Sequence, residues 1–217
     1  MSKPSKFFYA SGSPFAWRVH LVLEEKGIPY EGVLLSFQAG DLKKPEYLAI
    51  SPHAKVPALT DGATSLYESQ PIVEYLEERH PERPLLPADP AARALVRIEE
   101  VEATLYFIEA FGTVAREVFF TPPEKRDATK VAAARAQTRA RIAELEARAA
   151  ARGGDWVLGP GHTRADTTWL PFVEIAERGG VPLHELPWLA AWRERMYARP
   201  SYQATYPPHW RTSPGPA

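Results

Sequence analysis

The chain has 217 residues, 45% of them hydrophobic and 24% charged, with a formal net charge of −1. That length builds one large domain or two small ones with real cores, and the near-neutral charge argues against non-specific attraction to nucleic acid or to an acidic membrane surface. With no cysteine in the chain, disulfides, thiolate metal sites, iron–sulfur clusters and a cysteine nucleophile are all excluded.

The N-terminal stretch MSKPSKFFYASGSPFAWR carries no apolar core of signal-peptide length, and no run approaches the roughly 20 apolar residues of a membrane span. A cytoplasmic location is the expectation. KFFYA reads as a short aromatic strand. PFAWRVHLVLEEKG follows as a helix, with Phe15, Val19, Val22 and Leu23 at helical spacing and Gly27 as its stop. Ser13-Pro14 opens it: serine is a favoured N-cap, and proline fits the first helical position. YEGVLLSF is a second strand. LKKPEYLAIS is a short helix or a loop. VPALTDGATSLYE reads as two strands joined at Asp61-Gly62. SQPIVEYLEERH is a helix capped by Ser69, with Ile72, Val73, Tyr75 and Leu76 on its buried side.

HPERPLLPADP, with four prolines in eleven residues, marks a linker. Beyond it only helix patterns appear. One covers AARALVRIEEVEATLYFIEAFGTVAREVFF. A second, basic and alanine-rich, opens near Pro122-Pro123 and closes at Gly153-Gly154, with Glu144 and Arg148 spaced to pair. RADTTWLPFVEIAERGG is a third, opened by a Thr163–Asp166 capping pair that marks Asp166 as a stability residue. ELPWLAAWRERMYARPSY is a fourth. The tail YPPHWRTSPGPA reads as irregular. The pattern predicts a small α/β domain over residues 1–82, a linker over 83–90 and an all-α domain over 91–217.

Four stretches then stand out: SPFAWRVHLVLEEKGIPYE, SPHAKVPAL, LYESQPIVEYLEERHPERPLLP and LGPGHTRADTTWLPF. In order and spacing they resemble the signature segments of the cytosolic glutathione transferase family. The resemblance implies a thioredoxin-like N-terminal domain followed by an all-α domain. It also implies glutathione as co-substrate, a small hydrophobic electrophile as second substrate, a role in detoxification, and a homodimer.

A free thiol has a pKa of about 8.5, so such an enzyme must stabilise its thiolate. A helix N-terminus and a hydroxyl donor do this together. Ser13 occupies the position of the active serine in the tau-, zeta- and theta-like classes, which it resembles. Its plainer reading is a helix cap. Tyr9, where other classes carry a tyrosine, and Ser11 are the rivals. By the same resemblance Val56-Pro57 is a cis-proline turn whose Val56 backbone faces the cysteinyl part of glutathione. The γ-glutamyl group falls on Glu68 and Ser69 at a helix N-terminus, a natural anion site. Lys43, with Lys44 as its close rival, and Lys55 are the cations for the glycyl carboxylate, with His53 behind them. Phe15 completes the glutathione-binding set.

Aromatic candidates for the second substrate are Phe15, Trp17, Tyr106, Phe107, Phe111, Phe119, Phe120 and Trp169, although aromatics at helical spacing are more often core. The histidines show no ligand spacing, so no metal and no cofactor beyond glutathione is expected. A zeta-type isomerase is the alternative, because SPFAWRV shares the serine, tryptophan, arginine and valine of that class; Phe15 stands where that class has cysteine. A non-catalytic glutathione-binding protein is the other rival.

Overall fold

The computed structural model describes residues 4–212, and the chain falls into two compact units. The first runs to Leu85 and takes in Pro200–Pro208; the second covers Leu86–Arg199 and continues from His209.

The first unit is a four-stranded mixed sheet with helices. Its strands are β1 (Ser5–Tyr9), β2 (Tyr30–Leu34), β3 (Ala58–Asp61) and β4 (Thr64–Tyr67), in the order β2-β1-β3-β4. β1 and β2 are parallel, from Ser5↔Tyr30 to Tyr9↔Leu34, which requires a crossover; helix α1 (Pro14–Lys26) supplies it. β3 runs antiparallel to β1 with Phe7 opposite Leu59, and β3 and β4 form the expected hairpin, with Asp61 opposite Thr64.

Alternation along β1 sends neighbouring side chains to opposite faces. Phe7 packs with Ala16, Val19, Val22 and Leu23 of α1 and with Ile72, Val73 and Leu76 of α3 (Ser69–Arg79). Phe8 faces the other way, toward a smaller cluster of Leu42, Tyr47 and Ala58. Tyr47 lies in the short helix α2 (Pro45–Leu48), so the ambiguous LKKPEYLAIS segment is a turn of 3₁₀-helix followed by one of α-helix. Tyr75, placed on the buried side of α3, is only partly covered and donates from its hydroxyl to Asp61 at 2.7 Å.

Gly27 ends α1 at φ 62°, in the left-handed region that glycine enters without strain. Just before it, the buried Lys26 donates to Glu77 at 2.9 Å and to the Arg83 carbonyl at 2.7 Å. Glu77 also accepts from the Leu85 N–H, so one ion pair joins α1, α3 and the proline-rich segment.

The final piece of this unit comes from the far end of the chain. ELPWLAAWRERMYARPSY is not one helix: it divides into α8 (Pro187–Tyr197) and α9 (Pro200–Thr205), because a proline inside a helix removes an N–H and clashes with the preceding turn. α9 lies against α1. Trp17 donates from its indole to Thr205 at 2.8 Å and contacts the rings of Tyr202 and Tyr206. Trp17 is therefore core, 4% exposed.

The second unit is helical among its described residues. One run carries α4 (Pro90–Val101) and α5 (Phe107–Val114), with π-helical segments at Glu102–Tyr106 and Ala115–Phe120. Helix α6 (Ala128–Arg152) starts later than expected. Asp127 caps it, while Pro122-Pro123 opens only a 3₁₀ turn. The anticipated Glu144–Arg148 pair does not form. Arg148 makes a bidentate contact to the fully buried Glu99 of α4, and Glu144 pairs with Arg141 instead. A desolvated carboxylate binds a guanidinium more strongly than an exposed one does. Arg152 and Trp169 complete the shell of Glu99, and the neighbouring Glu100 is held by Arg164.

Helix α7 (Arg164–Arg178) opens with the capping box of Thr163 and Asp166. Asp166 also accepts from the Val157 N–H and the Trp192 indole. The tail differs from expectation: residues Pro208–Thr212 form a last helix, α10, whose Trp210 stacks under Arg178. The remainder of that stretch, 213–217, lies outside the described residues. No described helix is long and apolar enough to cross a membrane.

Candidate functional site

A cleft of about 390 Å³ in the first unit is lined by Phe15, Ser51, Lys55, Val56, Pro57, Glu68 and Ser69. Six of these seven are site residues proposed from sequence. Ser13 and Lys43 fall outside the lining. Lys43 is exposed at the end of the 3₁₀ turn, and its rival Lys44 is drawn into an ion pair with Asp41 at 2.7 Å. His53 is exposed, its ring edge-on to Tyr67.

Each wall has a local cause. The Val56-Pro57 peptide is cis, and Pro57 leads directly into β3. Two hydroxyls hold the peptide before it: Tyr47 donates to the Lys55 carbonyl at 2.6 Å, and Ser51 donates to the same oxygen at 2.9 Å. Both are buried, so the backbone that presents Val56 is pinned from beneath.

On the opposite wall, Ser69 was expected to cap α3; it is instead the first residue inside that helix. Glu68 takes the cap position with φ 67° and ψ 127°, and its carbonyl accepts the first helical bond from Ile72. A non-glycine residue at positive φ is strained, by roughly 1–3 kcal/mol, and such residues collect at functional sites. The described residues contain three of them, and two, Ala54 and Glu68, flank this cleft. The Ser69 hydroxyl, relieved of capping, accepts from Arg18 at 3.3 Å.

Ser13 caps α1. Its Oγ accepts from the Ala16 N–H at 3.3 Å, and its own N–H donates to Ala10. A serine hydroxyl has one proton and two lone pairs. Capping engages a lone pair, so the proton stays available to an acceptor at the helix end. Phe15 of the same turn reaches the cleft.

Tyr9 is built into an aromatic cluster. It stacks on Phe7 at 5.2 Å and contacts His20 at 5.3 Å. Tyr30 donates to Glu24 at 2.7 Å, which uses its only proton, so His20 Nε2 is the donor to the Tyr30 oxygen. Burial pushes the His20 pKa down to about 4, against a weaker upward pull from Glu24. Burial and the bond to Glu24 push Tyr30 up.

The aromatic candidates for a second substrate separate by burial. Phe107, Phe111 and Trp169 are core, at 0–2% exposed, whereas Tyr106 and Phe120 are 43% and 76% exposed.

Sequence reading missed Ser51, Tyr47 and Arg18. The signal for Arg18 was an arginine one residue before Val19 in an otherwise apolar stretch of α1.

A thioredoxin-like sheet with a cis-proline turn beside a helix N-terminus, joined in one chain to an all-helical unit, defines a glutathione transferase fold. Residues 7–84 match the model for "Glutathione S-transferase, N-terminal domain" and residues 110–200 that for "Glutathione S-transferase, C-terminal domain". Glutathione S-transferase A of Pleuronectes platessa is 30% identical over 99% of this chain and 96% of its own. Among solved structures, a glutathione S-transferase from the Antarctic clam Laternula elliptica is 30% identical, with a TM-score of 0.86 over 98% of this chain and 96% of its own. The theta-class enzyme of Xanthomonas axonopodis pv. citri, solved with glutathione bound, is 29% identical, with a TM-score of 0.85 over 95% and 98%. The chain belongs to the glutathione S-transferase family.

Proposed function

We propose that the protein binds glutathione in this cleft and transfers its thiolate to a small hydrophobic electrophile. The observation that carries the reading is the convergence of Lys55, Val56, Pro57, Glu68 and Ser69 on one cleft beside the N-terminal turn of α1. Val56 offers its backbone to the cysteinyl unit, as an added strand would. Glu68 accepts from the γ-glutamyl ammonium, and Ser69 donates to its carboxylate at the α3 N-terminus. Lys55, exposed at the rim, meets the glycyl carboxylate, with Lys43 as a second cation. Ser13 donates its remaining proton to the sulfur, and the α1 dipole favours the same negative charge. The sulfur–carbon bond forms as the leaving group departs from the electrophile, or as the electron pair of an activated double bond moves onto its acceptor.

The protein acts in this reading as a cytoplasmic homodimer in detoxification. Leu95, Ile98, Val101 and Leu105 support the dimer: they form an apolar stripe along α4 and the π-helical turn after it, each more than 40% exposed.

The deciding experiment compares wild type with Ser13→Ala and Ser13→Gly. Loss of a hydrogen bond to a charged group predicts a fall of about 10- to 100-fold in conjugation of an activated aryl halide. The ultraviolet thiolate band of bound glutathione weakens at neutral pH in both variants. Glycine costs a cap only a few tenths of a kcal/mol, so parallel loss in the two variants separates catalysis from capping. Unchanged thiolate formation in both removes Ser13 from the mechanism. Turnover of a cis-enedione by isomerisation, without net conjugation, assigns the enzyme to the zeta-type reaction instead.

A further inference from the structure

Behind the Ser69 wall of the cleft lies Arg18, on the second turn of α1 and fully buried. Its Nη1 donates to Ser69 Oγ at 3.3 Å and its Nη2 donates to Gln70 Oε1 at 2.9 Å. Gln70 in turn donates from its amide nitrogen to Glu74 at 3.2 Å, which fixes the amide so that its oxygen faces the guanidinium. The guanidinium is thus held by two consecutive residues of the first turn of α3.

A guanidinium has donors and no acceptor, and it stays charged at every accessible pH. Ser69 is therefore obliged to accept from Arg18. One lone pair is committed on the inner side, and the hydroxyl proton is left for an acceptor in the cleft. A full positive charge also stands behind the N-terminus of α3, adding to the field of the helix dipole. A neutral donor could supply the hydrogen bond but not the charge.

We propose that Arg18 is a positioning residue for the carboxylate of the γ-glutamyl group: it makes the Ser69 hydroxyl a donor toward the cleft and charges the site from behind without touching the ligand. The inference rests on the glutathione reading above and goes beyond it by dividing the recognition of one ligand end between two sources. The ammonium belongs to Glu68, and the carboxylate to the Arg18–Ser69 relay.

Three tripeptides separate these terms by calorimetry. Glutathione carries both groups, 4-aminobutyryl-Cys-Gly keeps the amine and lacks the carboxylate, and glutaryl-Cys-Gly keeps the carboxylate and lacks the amine. For Arg18→Gln, affinity for glutathione and for the glutaryl peptide falls about tenfold, and that for the 4-aminobutyryl peptide stays within about twofold. Arg18→Lys, which keeps the charge, recovers part of the loss. If Arg18→Gln does not fold, Gln70→Ala, which releases one side of the guanidinium, gives the same selective loss on a smaller scale. Equal losses for all three ligands mean that Arg18 only braces α1 against α3, and they overturn the inference. So does a wild type that binds glutathione and the 4-aminobutyryl peptide equally well. A wild type that binds none of the three removes the glutathione reading and this inference together.

Discussion

Lowering the pH from 7 to 5 should destabilise the protein through one side chain, His20. In the folded chain its imidazole is largely buried, donates to Tyr30, and has a pKa of about 4 against an ordinary 6.5. The groups that face it are Glu24, Tyr30 and the rings of Phe7 and Tyr9. Because the folded pKa lies below the unfolded one, the unfolded chain binds more protons between pH 6.5 and 4, and stability falls as pH falls through that window. The difference between these two values is worth about 3 kcal/mol, of which about 2 kcal/mol is reached at pH 5. The variant His20→Gln keeps a nitrogen donor for Tyr30 and does not titrate. Urea unfolding of both proteins at pH 7 and pH 5 isolates the term, since every other titrating group is common to them. Wild type should lose about 2 kcal/mol more than the variant. Equal losses, or a His20 proton resonance that titrates near 6.5, refute the reasoning.

Three further outcomes are expected. Glu68→Gly relieves a left-handed cap, so its Tm should rise by the equivalent of about 1 kcal/mol while glutathione affinity falls at least about tenfold; a lower Tm contradicts the strain. Lys26→Met strands the Glu77 carboxylate and should cost about 3–5 kcal/mol in urea unfolding, with partial recovery in Lys26→Met/Glu77→Leu. Ile98→Asp, on the exposed stripe of α4, should lower the mass seen by light scattering from twice 24.2 kDa to that of one chain, and an unchanged mass moves the dimer surface elsewhere.

The architecture was legible because its signals are periodic and local. Phe15, Val19, Val22 and Leu23 recur at helical spacing, Gly27 can take the left-handed cap, and Pro57 and Gly62 bracket β3. The candidate cleft was legible for a different reason: its wall residues sit in short contiguous runs, AKVP and ES, that the fold needs only to bring face to face. What stayed hidden depends on the third dimension. Nothing in the letters says that Glu68, a poor left-handed residue, would accept positive φ and push Ser69 into the helix. Arg148 has a well-placed glutamate on its own helix, and only the packing of α4 reveals the buried Glu99 that outcompetes it. Arg18 looks like a solvated charge until α3 closes over it. Two prolines misled in opposite directions: Pro200 falls inside the stretch read as one helix and Pro208 inside the stretch read as irregular, whereas each begins a helix, where the missing N–H costs nothing.

The hydrogen bond between Trp17 and Thr205 spans 188 residues, yet both ends lie in the first unit. During synthesis the ribosome must therefore translate the whole intervening helical unit before the indole of Trp17 meets its acceptor. Contacts this distant in sequence form late, after the loop between them has been closed. A gene fragment ending at Leu85 encodes a sheet without the helix that seals it, and a premature stop at Arg199 uncovers Trp17 from the opposite end of the message. The first unit is thus finished only once translation has passed α9, long after its sheet was made.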